Sequence, residues 1–385
     1  MLDEKERKLF LRSKQTVSLP LKLHIFNPSH DEALASGNPY FCPSTAAREL
    51  EAEWVDLPAF TAKAGDAVWI QKDAALPEDT ESFPDIRFVH TKEMTPQFWN
   101  TVQQIEPWGF DPLICRKLRA AGAPEALFPS EAELEQLRLL SARTTTAAVL
   151  PRLRNSLHAK GIDTVGQSFI ARSLNQARDC ITRWQGAVIK SLWSCSGRGV
   201  FRVGTRPTVN ELGRISRLVT EHGAVEVEPV YEARLNFALE FEAEAGGAVH
   251  YVGLSIFAAH KGGRYMSNLV ASQKGLEAKL VASGFSRLQT LVDVVERELS
   301  SFLAGRYQGP LGVDMMLVEP AKPLTALSEP GLVTGDEIYE SCLHPCVEVN
   351  LRRTMGHLAL GLAQIKLKPT QISRLSDNFF NFAFK

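Results

Sequence analysis

From Gly166 onward the chain is built of apolar runs too short and too closely spaced for anything but paired strands. GQSFIARS, AVIKSLW, GVFRVG, AVEVEPV, RLNFALEFEA and HYVGLSIFAAH follow one another, broken at SCSGRG and at EAGGA (244 to 248). Connections this short join antiparallel neighbours, because a parallel pair needs a crossover of a dozen or more residues. The run FSRLQTLVDVVERELSSFLAG then reads as a helix, and GVDMMLVE (312 to 319) and CVEVNL (346 to 351) as two late strands.

The first third has a different texture. LKLHIF (21 to 26), AVWIQ (67 to 71) and IRFVH (86 to 90) are short strands separated by helical or loop material, so residues of about 20 to 125 form an alternating α/β unit. SEAELEQLRLLSARTTTAAVLPRLRNSLHAKG follows, with a capping box from Ser130 to Glu133 and leucines at helical spacing. No internal repeat and no low-complexity tract is present.

With 385 residues, 44% of them hydrophobic and 23% charged, the chain can bury two or three cores. A net charge of -1 gives no basic bias toward nucleic acid. The leader, residues 1 to 20, is charged throughout its first half and lacks a signal-peptide core, and no run of eighteen apolar residues occurs anywhere, so we expect a cytoplasmic protein without a membrane partner. The six cysteines, at positions 42, 115, 180, 195, 342 and 346, form no CxxC pair and suit free thiols. Cys342, His344 and Cys346 lie close together but lack a fourth ligand and the spacing of a zinc site.

Three features carry chemistry. The turn after AVIK holds Ser194, Ser196, Gly197, Arg198 and Gly199. Small residues let backbone amides approach an anion and Arg198 adds charge, yet the spacing is not that of a Walker loop, and Lys190 precedes the glycines. Alone, the stretch reads equally as a phosphate lid or as a glycine-containing hairpin. Farther on, Asp314 stands in GVDMMLV, while Glu348 and Asn350 stand in VEVN, where i, i+2 spacing on a strand puts both side chains on one face. Three hard oxygen donors suit magnesium, although Asp314 taken singly reads more simply as a solvated or salt-bridged strand-end acid.

Taken in order, Lys190 in AVIK, the SCSGRGV loop, VEVEPV at 225 to 230, GVDMM, and EVNLR with Arg352 resemble the ATP-grasp superfamily, specifically its carboxylate-amine ligase type. The resemblance covers about Leu140 to Ala363. It implies an α/β N-terminal domain of Rossmann-like, pre-ATP-grasp type at 21 to 130. A helical linker and small subdomain would occupy 131 to 230, and a large subdomain with the metal site 231 to 385, two α+β subdomains gripping ATP. It also implies that Lys190 reaches the α- and β-phosphates and that Ser194 to Gly199 close over the β- and γ-phosphates. Main-chain groups at Glu226, Val227 and Glu228 would read adenine while an acidic side chain, Glu228 in the usual pattern, takes the ribose. Arg234 and Asn236 would face phosphate or substrate. Asp314, Glu348 and Asn350 would hold Mg2+, or Mn2+ in its place, and Arg352 would face the reacting phosphate or carboxylate.

Where many members carry a lysine ahead of the small subdomain, this chain has Arg143, either a nucleotide contact or a surface helix residue. The long gap between Asp314 and Glu348 makes the 320 to 345 insertion a lid, a dimer contact or a tolerated loop.

The implied chemistry is transfer of the γ-phosphoryl group of ATP to a carboxylate, followed by attack of an amine on the acylphosphate; a small-molecule kinase or a non-catalytic nucleotide binder are the other outcomes. The small-molecule acid and amine would meet one of two segments. AAHKGGRYMSN offers Lys261, Arg264, Tyr265 and Asn268 on a glycine-rich turn, or else is a solvated hairpin tip. NPSHDEALASG offers Asn27, His30 and Asp31 at the end of the first strand, where ligands of α/β units bind, or else a capping box of Ser29 and Glu32.

Overall fold

The computed structural model describes residues 21–71, 83–193, 199–260, 263, 265–318, 342–364, 375–376 and 379–381. Ser194, Ser196, Gly197, Arg198, Lys261, Arg264, the 1–20 leader and the stretch 319–341 lie outside the described residues.

Strands β1 (Leu21–Ile25), β2 (Ala67–Ile70), β3 (Arg87–His90) and β4 (Val102–Pro107) make a parallel sheet in the order β3-β2-β1-β4. Every residue of β2 is buried, as expected for a parallel strand covered on both faces. Ala67 and Trp69 pack with Leu23, Ile25 and Val89 on one side; Val68 packs with Phe26, Trp54 and Leu57 on the other. That second cluster also contains Leu358 and Leu362, from the late helix Met355–Leu362, which fastens the C-terminal part of the chain onto this first unit.

The second sheet holds β5 (Phe169–Ala171), β6 (Gly186–Ser191), β7 (Val200–Gly204) and β8 (Val225–Glu228) in the order β5-β8-β6-β7, every pair antiparallel. Its inward residues, among them Ala187, Ile189, Val225 and Val227, pack on Ala177 and Ile181 of the helix Leu174–Trp184 and Ile215 of the helix Val209–His222.

The third sheet has β9 (Ala233–Ala243), β10 (Val249–Ala259), β11 (Tyr265–Leu269), β12 (Gly309–Val318), β13 (Cys342–Asn350), β14 (Leu375–Ser376) and β15 (Phe379–Asn381) in the order β13-β12-β9-β10-β11-β15-β14. Alternation along β9 decides its two faces. Phe237, Leu239 and Phe241 point into the largest core, against Leu150, Leu153 and Leu157 of the helix Thr144–His158 and Leu291, Val295 and Leu299 of the helix Leu288–Leu303. Asn236, Ala238, Glu240 and Glu242 take the opposite face. Helix Thr144–His158, grouped by sequence with the small subdomain, therefore packs on the large sheet, because its apolar side chains match that core; Thr146 Oγ1 also accepts from the Val349 amide at 3.1 Å. Among the described residues no helix is long and apolar enough to cross a membrane.

Candidate functional site

The second and third sheets come together at Lys190, which reaches from β6 to β13. Its side chain leaves β6 on the face away from the Ile189 core and is 5% exposed. Nζ lies 2.6 Å from Glu228 Oε2 and 3.8 Å from Glu226 Oε2, and it donates to the Val347 carbonyl at 3.3 Å. That carbonyl sits where the β12–β13 register shifts, between Asp314 and Met316. Burial by itself would strip the ammonium of its proton, but Glu228 and Glu226 outweigh it and hold the group above its ordinary value. Glu228, opposed by the same burial, is pushed up to about 8 despite the pull of Lys190. We take the contact as charge-sharing between the two, since the 2.6 Å separation places a proton between them in either form.

Arg143 joins this cluster from the start of helix Thr144–His158. It is 4% exposed, which sets aside the surface-helix alternative. Nη2 is 3.0 Å from Glu348 Oε1 and Nη1 is 3.8 Å from Glu226 Oε2, while its amide donates to the Leu192 carbonyl beside β6. Burial disfavours its charge, but Glu348, Glu226 and Glu228 more than restore it.

Asp314 and Glu348, the latter held by Arg143, stand directly across the β12–β13 pair, and Gly312 faces Asn350. The Asn350 side chain hydrogen-bonds Asp314. Two carboxylates in cross-strand register repel. Burial first, and then Glu348, push the Asp314 carboxyl up to about 7 against the pull of Arg352 and Arg143. Relief of that repulsion by a divalent cation fits the donor set, two carboxylates and an amide oxygen, all hard ligands. Among the described residues no cluster of three His, Cys, Asp or Glu side chains is placed to hold a metal, and Cys342, His344 and Cys346 form none. His344 is instead fully buried, its ring edge-on to Tyr231 and packed where Gly166 leaves no Cβ.

The other expected site residues have the following surroundings. Val227 is in the core of the second sheet, where it pairs with Phe169 of β5 on one side and Ile189 of β6 on the other. Glu226 is fully buried, with Ser168 Oγ donating to Oε1 at 2.6 Å. Arg234 is exposed, and Asn236 lies half-buried on the site face of β9, opposite Met316. Gly199 closes the β6–β7 turn with φ +81°, a conformation that favours glycine, and its carbonyl accepts from the Ser191 amide at 3.0 Å. Tyr265 donates to Asn268 Oδ1 at 2.6 Å and Asn268 is buried, so these two serve each other across β11 rather than an open loop.

At the end of β1, Asn27 has both amide donors engaged, with the Gly109 carbonyl at 2.8 Å and Asp111 Oδ2 at 2.9 Å, and its oxygen accepts from the Trp108 amide. It ties β1 to the loop after β4 and has no donor left for a ligand. Ser29 precedes the helix His30–Ser36 without a side-chain cap, so the capping-box alternative does not hold there, whereas the Ser130–Glu133 box does. Arg352, expected at the reacting group, gives Nε to both Asp31 oxygens at 2.9 and 3.0 Å, a bond across 321 residues that brings two separately expected site residues together. His30, Asp31, Glu348, Asn350 and Arg352 line one small crevice, and this places the strand-end segment beside Glu348 and Asn350.

Sequence reasoning missed Glu240. On the site face of β9, 1% exposed, it accepts from Ser255 Oγ at 2.9 Å and Thr354 Oγ1 at 2.7 Å, with His357 Nδ1 at 3.2 Å. Burial, the largest cause, and Asp314 push it up to about 8, while burial drives His357 down to about 3; the pair is therefore neutral although its geometry is that of an ion pair. Period-two alternation in LNFALEFEA, with polar residues at 236, 240 and 242, was the available signal.

No protein-family model and no curated protein matches the sequence. Solved structures do resemble it in shape. N5-carboxyaminoimidazole synthetase from Staphylococcus aureus complexed with ADP aligns over 90% of this chain and 78% of its own, at 11% identity and a TM-score of 0.43. A biotin carboxylase β-γ-ATP complex from Campylobacter jejuni aligns over 91% and 72%, at 12% and 0.46. L-amino acid ligase from Bacillus licheniformis aligns over 92% and 76%, at 14% and 0.40. At such scores the likeness assigns no residue a role.

Proposed function

We propose that the protein is an ATP- and Mg2+-dependent ligase of ATP-grasp type that activates a carboxylate as an acylphosphate for attack by an amine, with ADP as product. One observation carries this reading: buried, cationic Arg143 meets Glu348 of the Asp314, Glu348 and Asn350 set at 3.0 Å, and buried, cationic Lys190 reaches the Val347 carbonyl next to Glu348 from the other sheet. Buried cations beside a divalent-cation donor set suit a polyphosphate, whose oxygens take charge-assisted hydrogen bonds from Lys and Arg and bind Mg2+ at the same time. Mg2+, held by Asp314, Glu348 and Asn350, would neutralise charge on the transferred phosphoryl group.

The residues of the chain supply the rest. Lys190 would exchange part of its contact with Glu228 for phosphate oxygens. Glu228 Oε1, buried and without a hydrogen-bond partner, supports an acceptor role toward the ribose hydroxyls. Arg143 would hold phosphate by its guanidinium fork in place of the more usual lysine. The N-terminal crevice at His30 and Asp31 would complete the substrate site.

Calorimetry with Mg·ATP tests the site: binding by the wild type, lost in Asp314→Ala and Glu348→Ala, is expected. Nucleotide release with pooled amino acids and small carboxylic acids tests the reaction. ADP that appears only with an acid and an amine together supports the ligase. ADP with a stable phosphorylated product and no amine would assign a kinase, ATP bound without turnover a non-catalytic binder, and absence of Mg·ATP binding would remove the reading.

A further inference from the structure

His30 is the polar side chain with the least accounted-for surroundings. It is 1% exposed, and its ring packs on Gly109, where any Cβ would clash with it. Neither ring nitrogen has a hydrogen-bond partner. Nδ1 lies 3.6 Å from Asp111 Oδ2 and Nε2 lies 3.9 Å from Asp31 Oδ1, both beyond direct hydrogen-bond reach. A buried polar atom left in this state costs about 1–3 kcal/mol. The same ring borders the crevice that contains Glu348, Asn350 and Arg352.

The surroundings are rigid. Asp111 Oδ1 accepts from the Ile114 amide at 2.8 Å and Oδ2 from Asn27 at 2.9 Å, so its carboxylate cannot swing to His30 without breaking a cap and a strand tie. Asp111 does face Nδ1, which favours the tautomer with hydrogen there and leaves the Nε2 lone pair toward Asp31. Asp31 is in turn anchored by Arg352. Two acceptors, Nε2 and Asp31 Oδ1, thus sit 3.9 Å apart, a gap that one nitrogen with two N–H bonds spans at about 2.9 Å to each.

We infer that this crevice is the subsite of the attacking amine, which donates to His30 Nε2 and Asp31 Oδ1 together. The charge around it favours an amine over an anion: carboxylates of Asp31, Asp111 and Glu348 stand about the crevice and the His30 ring against two guanidiniums, Arg352 on Asp31 and Arg143 on Glu348, while Asp111 takes its hydrogen bonds from Asn27 and the Ile114 amide. Asn350 and Glu348 line the same crevice, which puts that nitrogen beside the donors that would hold the metal. A separate cavity of about 900 Å³ shares Leu351 and Arg352 of its lining with the crevice. The inference deepens the ligase reading and rests on it for the product formed, though not for whether an amine binds.

The test is 15N NMR of the imidazoles, run on the protein alone and loaded with Mg·ADP, with His30 assigned from the spectrum of His30→Gln or, should that variant not fold, of Asp31→Asn. Methylammonium chloride and glycinamide should shift the His30 Nε2 resonance saturably. Tetramethylammonium chloride, which has no N–H, and sodium acetate should not. Asp31→Asn should weaken the methylammonium midpoint by about tenfold, the loss of one charge-assisted hydrogen bond. No saturable shift, or the same response to tetramethylammonium, overturns the subsite. Failure of Mg·ADP to bind would remove the ligase reading while the amine titration still decides this one.

Discussion

Glu240 offers a test of the site's floor that needs no substrate. Its carboxyl is enclosed by Ser255, Thr354 and His357, and by two glycines, Gly312 and Gly356, at which an added Cβ would overlap its oxygens. In the unfolded chain the group titrates near 4.5; in the fold it is pushed up to about 8. The native state therefore binds the extra proton. Its stability contribution is complete below pH 4.5 and is lost as pH rises toward 8, at 1.36 kcal/mol per unit, about 5 kcal/mol in all.

Glu240→Gln keeps the shape and a donor but cannot ionise. Between pH 5.5 and 8.5 the wild type should lose about 3 kcal/mol relative to this variant, a change of about 6 °C in the gap between their melting temperatures at roughly 2 °C per kcal/mol. Comparing the two proteins cancels the other carboxyls, and melting temperature avoids assuming two-state unfolding for several packed units. Glu240→Ala should be less stable at every pH, since it strands Ser255 and Thr354. A melting gap between wild type and Glu240→Gln that stays constant with pH would show that Glu240 is ionised in the fold, and would refute the burial argument.

Asp314, held up near 7, must give up a proton before it can ligate a cation, so Mg·ADP affinity should fall about tenfold per pH unit below 7 with uptake of Mg coupled to release of about one proton; calorimetry in buffers of different ionisation enthalpy measures both. Lys190→Met should weaken Mg·ATP binding by about tenfold or more, from loss of a charge-assisted contact, as read by calorimetry. Gly356→Ala drives a methyl into Glu240 Oε1 and should cost about 2 kcal/mol in thermal or urea unfolding, most of which should vanish in the Glu240→Ala background, a non-additive pair.

Legibility in the sequence varied with the range of the interaction. The β6–β7 hairpin was plain from AVIK and GVFRV, and pairs as their alternation requires, Ala187 with Val203 and Ile189 with Phe201. β4 was not read as a strand, because Val102–Pro107 carries two glutamines and a glutamate at an exposed sheet edge and shows neither alternation nor an apolar run. Asn27 looked like a ligand residue because its type and its strand-end position fit one; only the positions of Gly109, Trp108 and Asp111 show that its amide is occupied. Arg143 carried two readings until burial chose one.

What the sequence by itself determined was local: which runs form strands, which turns make hairpins, and which side chains share a face, Glu348 with Asn350 among them. Those features follow from periodicity and turn chemistry within a few residues. What only the tertiary structure decided is which charges meet: Arg143 with Glu348, Lys190 with Glu228, Arg352 with Asp31, and Glu240 with Thr354. These pairs are set by how three sheets pack. Desolvation at their junctions then fixes which groups keep a proton, and neither packing nor desolvation leaves a periodic trace along the chain.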